Sequence, residues 1–101
     1  MSRRIELQSL LEEILGSRNV YFQPPASLKM QYDCIRYERI RIDTDHADNL
    51  PYQLYDRYQI IAIYKNPDSD LPRKIAALPM CYHERHYTAD NLNHDVFNLY
   101  Y

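Results

Sequence analysis

The chain has 101 residues, 46% apolar and 26% charged, with a formal net charge of −2. That length holds one domain with one core, and the apolar share is that of a globular protein, not a disordered one. The slight acidity gives none of the basic footprint of a duplex-DNA reader, and two cysteines are too few for a secreted disulfide scaffold.

A first helix is expected from a Ser2 cap to about Leu15. Leu7, Leu10, Leu11, Ile14 and Leu15 recur at the spacing of one helical stripe, with Glu6, Gln8, Ser9, Glu12 and Glu13 outside it. Gly16, the one glycine in the chain, follows directly, as a left-handed C-terminal stop should. Ser17 to Leu28 reads as extended but not as a strand, because Pro24 and Pro25 remove two ladder donors. Val20, Tyr21 and Phe22 are adjacent and bulky there. They either close the sheet edge or form a docking segment for a neighbouring subunit.

Met30 to Ile42 reads as a strand whose apolar phase slips, which implies a bulge near Glu38-Arg39 or partial cover on both faces. Its charges, Arg36, Glu38, Arg39 and Arg41, can protect an edge from pairing or set register against a neighbour. Asp43 to Pro51 is polar and acidic and reads as a projecting loop, too long for a tight hairpin turn. Tyr52 to Lys65 follows as a long strand with a second half apolar on both faces. Such a strand belongs at the centre of a sheet, covered on both sides. Asn66 to Asp70 turns the chain into a short helix capped by Ser69 or Asp70, with Leu71, Ile75 and Leu78 inward and Pro79 as its stop. Met80 to Tyr87 and Val96 to Tyr101 complete the sheet, joined by a turn in TADNLNHD.

The expected architecture is α+β in the order α-β-β-α-β-β: a four-stranded mixed or antiparallel sheet with one long N-terminal helix and one short helix packed on it. Tyr58, Ile60, Ile61, Ala62, Ile63, Leu11, Ile14 and Ile75 are its expected core. Cys34 and Cys81 read as buried free thiols of a reducing compartment. No signal-peptide pattern or bilayer-length apolar stretch is seen, so a soluble protein made in the cytosol is expected.

Chemistry-bearing patterns are weak. Cys81-x-His83-x-x-His86 could seed a zinc site only with a further ligand such as Cys34 or His46, and regular strand alternation sends His86 to the face opposite His83. Asp43, Asp45 and Asp48 lack the glycine and terminal glutamate of a calcium loop. No glycine-rich phosphate loop or nucleophile elbow is present, so no catalytic residue, cofactor or metal is assigned. Eleven tyrosines against two phenylalanines and no tryptophan suit either strand interiors or subunit interfaces.

Read together, GSRNVYFQPP, CIRYERI, YKNPDSD and LPMCYHERHYTADNLNHDVFNLYY give the chain a resemblance to the small neck or tail-completion proteins of long-tailed bacteriophages, the tail terminator and head–tail joining class. The resemblance implies a compact α+β virion subunit, made in the bacterial host cytoplasm. It would form a homo-oligomeric ring, hexameric or matching the connector, at the top of the tail tube. Its partners would be the tail tube protein and the head connector, with no membrane and no specific nucleic acid. Under that reading Val20, Tyr21, Phe22, Arg36, Arg39, Arg41, Asp45, His46, Asp48, Tyr100 and Tyr101 are the candidate interface residues. The rival is a sheet that binds single-stranded nucleic acid, with tyrosines stacking on bases and Arg36, Arg39 and Arg41 on phosphates.

Overall fold

A computed structural model describes the backbone of residues 3–47 and 50–101 and the side chains of residues 3–42 and 56–101. Its elements are α1 (Arg3–Leu15), β1 (Val20–Phe22), β2 (Cys34–Ala47), β3 (Leu50–Tyr64), α2 (Leu71–Ala76), β4 (Cys81–Ala89) and β5 (Leu92–Tyr100). The strands form one mixed sheet in the order β1-β2-β3-β5-β4. The run of β-branched and aromatic residues from Tyr58 to Tyr64 holds the centre, as its pattern requires.

Five strands stand where four were expected. Val20–Phe22 is paired, parallel to Ile35–Tyr37 of β2, because the two prolines fall just after it and leave its own ladder donors intact. At thirteen residues α1 is of ordinary length. Leu7 and Leu11 are fully buried, whereas Ile14 packs against the core only in part. Gly16 ends the helix at φ +81°, its N–H on the Glu12 carbonyl at 2.9 Å. The expected Ser2 cap lies outside the described residues. In α2 the Ser69 hydroxyl accepts from Leu71 N at 3.2 Å, and Leu71 and Ile75 point inward; the helix ends at Ala76, before Pro79, so Leu78 lies beyond it and packs on the core only in part. No helix among the described residues is long and apolar enough to cross a membrane.

Both helices pack on one face of the sheet. Leu7, Leu11, Leu71 and Ile75 meet Ile35, Tyr37, Tyr58, Ile60, Ala62, Phe97 and Leu99 in a single cluster. Each aliphatic side chain fully buried there contributes about 1.5–3 kcal/mol. The opposite face carries no helix among the described residues. Its apolar floor of Cys34, Ile63 and Val96 is buried beneath longer side chains of the same strands, while Ile61 is only half-buried. The expected cover on both sides of β3 is therefore helical on one side and formed by the sheet's own side chains on the other.

The segment read as an acidic loop is instead strand. β2 continues to Ala47 and β3 starts at Leu50, paired from Arg41↔Arg57 to Ala47↔Leu50. The polar sequence of Asp43 to Ala47 does not prevent this, because the ladder is made by the backbone. Asp48 lies outside the described residues. β2 also starts later than expected, at Cys34, and its register shifts between Arg39 and Arg41, the slip that the apolar phase predicts. The β4–β5 turn is the two residues Asp90 and Asn91, both at positive φ (52° and 62°). Asp and Asn tolerate that conformation, so the strands run almost to the turn on both sides.

Candidate functional site

Asp95 is the one buried charged residue of the described core, 5% exposed on β5. It stands opposite Ala62 in the β3–β5 register and shares the helix-covered face with Phe97 and Leu99. Burying a carboxylate is unfavourable unless it is fully hydrogen-bonded. Three side chains meet that need. The Tyr64 hydroxyl donates to Asp95 Oδ2. His83 Nε2 and His86 Nδ1, both on β4, lie 2.9 Å and 3.0 Å from Oδ1. An ionised carboxylate can only accept, so each ring presents an N–H to it.

His83 and His86 reach one carboxylate because β4 is bulged. His83 pairs with Phe97 and Arg85 with Val96, so Glu84 is the inserted residue. One extra residue restores an even offset between the histidines and brings His86 to the face of His83. The sequence-based expectation of opposite faces fails for that reason. Burial pushes the Asp95 carboxyl up, but the hydrogen bonds from Tyr64, His83 and His86, with the His86 charge, outweigh it and hold it below the ordinary value. Burial, followed by the bond to Asp95, pushes the Tyr64 phenol up to about 12.

Tyr64, His83 and Asp95 form one wall of an open cleft of about 510 Å³, with the turn before α2 (Asp68, Ser69, Asp70) opposite. The Ser69 hydroxyl in that cleft is engaged with the α2 backbone. Among the described residues no group of three His, Cys, Asp or Glu is arranged to hold a metal ion. The two imidazoles aim at a shared oxygen, and Cys34 and Cys81 are free thiols, Cys34 buried as expected and Cys81 only half-buried. Burial pushes each thiol up to about 11. The arrangement braces the edge strand β4 against β5 and β3.

The proposed interface residues do not form one surface. Val20 is buried, and Phe22 packs on Tyr37 with ring centroids 5.0 Å apart and lies under the Arg4 guanidinium. These two close the sheet edge, and Tyr21 between them is half-buried. Arg39 lies on the helix-covered face, ion-paired to Asp56 at 3.0 Å and over the Tyr58 ring. Arg36 stands opposite Ile61 and Arg41 opposite Arg57, which places both on the other face. The side chains of Asp45, His46 and Asp48 lie outside those described. Tyr101 N donates to the Asp56 carbonyl, and Arg3 holds the Tyr101 carbonyl at 3.0 Å. Tyr100 stands opposite Arg57 on the helix-free face.

In comparisons with protein-family models, curated proteins and solved structures, nothing matches the chain.

Proposed function

We propose that this chain is a structural subunit of a tailed-phage neck. In this reading it assembles into a ring that completes the tail tube and joins it to the head, and it carries out no reaction. The observation that supports assembly is the outer half of the β2–β3 hairpin. β5 pairs with β3 only from Arg57 onward and β1 with β2 only up to Tyr37. The ladder from Ile42↔Asp56 to Ala47↔Leu50 therefore has no third strand among the described residues. At ~3.3 Å per residue this ribbon is roughly 20 Å long, and the molecule measures 50 × 24 × 23 Å. A two-stranded ribbon is at best marginally stable alone and gains stability from a surface to lie on. Exposed Ile40 and Ile42, at 45% and 59%, stand at its base. The neck assignment itself rests on the sequence resemblance.

Native mass spectrometry at several concentrations tests the reading, with the full chain beside a variant whose residues 43–55 are replaced by Asn-Gly. A discrete ring is expected from the full chain and a monomer of unchanged melting temperature from the shortened one. A full chain that stays monomeric at every concentration sinks the self-closing ring. A ring unaffected by the shortening sinks the role of the ribbon. Electron microscopy of phage tail tubes mixed with the protein adds the partner, which should cap one end of each tube.

A further inference from the structure

The helix-free face gathers cations and aromatic rings in a chain that is acidic overall. The registers place Arg36, Arg57, Tyr100, Tyr82, Arg85 and Tyr87 on it. Tyr82 is 59% exposed and meets Tyr100 edge-on at 6.3 Å. Arg57 lies over the Tyr100 ring and Arg85 over the Tyr87 ring, at 5.8 Å and 5.3 Å from the centroids. Arg57 Nε is buried with no hydrogen-bond partner. Among the described side chains, the acidic residues sharing the face are Glu38 and Glu84, and Glu84 accepts from Asn98 at 3.2 Å. Cys34, Ile63 and Val96 are buried beneath them, and the Tyr87 ring stacks on His94 with centroids 4.6 Å apart. Guanidinium groups set beside tyrosine rings are the pairing that the phosphates and bases of a single strand engage.

We propose that this face binds single-stranded nucleic acid without sequence preference, bases stacking on Tyr82 and Tyr87 and phosphates meeting Arg36, Arg57 and Arg85. Each component has a physical basis. Every base offers a π-face to a tyrosine, and a guanidinium already parked over a ring can turn to a phosphate while keeping its aromatic neighbour. Arg39, which sequence alone groups with Arg36, takes no part, because its ion pair lies on the other face. Net repulsion from the acidic chain limits the affinity, so binding should be modest and should weaken steeply with salt.

Fluorescence anisotropy with labelled oligothymidylate at about 50 and 200 mM salt tests this. Three phosphate contacts at a slope of about −0.7 each predict roughly twentyfold weaker binding at the higher salt. Tyr82→Ala with Tyr87→Ala should weaken binding about tenfold or more with little change in melting temperature, since both rings are exposed. Lys74→Ala on α2, beside Asp70, should leave binding unchanged. The variant with the shortened ribbon should bind as the full chain does, so this inference and the ring reading fail separately. No saturable rise at the lower salt, a salt slope near zero, or equal affinity in the double tyrosine variant overturns the proposal. So does a native-mass dimer abolished by the tyrosine changes in a chain that binds no oligonucleotide.

Discussion

Replacing Asp95 with alanine removes the acceptor of three side chains at once. The Tyr64 hydroxyl, on a side chain only 3% exposed, is left without its partner, at about 1–3 kcal/mol. His83 and His86 are 44% and 45% exposed and can turn to water, so each lost bond is discounted to about 0–1 kcal/mol. The sum is about 3 kcal/mol, which lowers the melting temperature of a domain this size by roughly 12–24 °C. Circular-dichroism melts of Asp95→Ala and of the isosteric Asp95→Asn measure it, and Asn should lose less because it retains one acceptor. The same residue fixes a pH dependence. A carboxyl held below its ordinary value in the folded state adds stability above about pH 3.9, and that stability is lost as pH falls through the lower folded value. The Tyr64 phenol, raised to about 12, contributes in the opposite sense: its share is full below about pH 10 and lost on the way to its folded value. The acid limb should be shallower in Asp95→Asn than in the parent. An Asp95→Ala protein that melts within about 2 °C of the parent would refute the brace.

Phe22→Ala should lower stability by about 1–2 kcal/mol, less than a full core truncation because the ring is half-buried. Unchanged melting in that variant, with loss of any oligomer, would return Val20–Phe22 to the role of a docking segment. Cys34 and Cys81, their thiols pushed up to about 11 by burial, should react slowly with a disulfide reagent near neutral pH and fast once the protein is denatured. Immediate reaction of both in the native protein would contradict the described packing.

Local periodicity, turn chemistry and apolar pattern by themselves determined α1, the Gly16 stop, the inward Leu71 and Ile75 of α2 and the central place of β3, and offered the slip near Arg39 as one of two alternatives. Each of these is set by neighbours within a few residues, so a single chain displays it. The pairing of Val20–Phe22 was not legible, since a three-residue strand becomes one only when a β2 edge is present to accept it. The ribbon from Asp43 to Ala47 was hidden for a similar reason: polar residues form a ladder there with no apolar alternation to announce it. Asp95 looked like part of an Asn- and Asp-rich turn. Its one signal was its step of two from Phe97 and Leu99, which places it on their buried face. The meeting of His83 and His86 on its carboxylate was beyond the reach of pattern altogether. Strand alternation assumes an unbroken ladder, and the residue inserted at Glu84 exists only in the register between β4 and β5. Tertiary pairing decided that register, and with it the chemistry of the buried site.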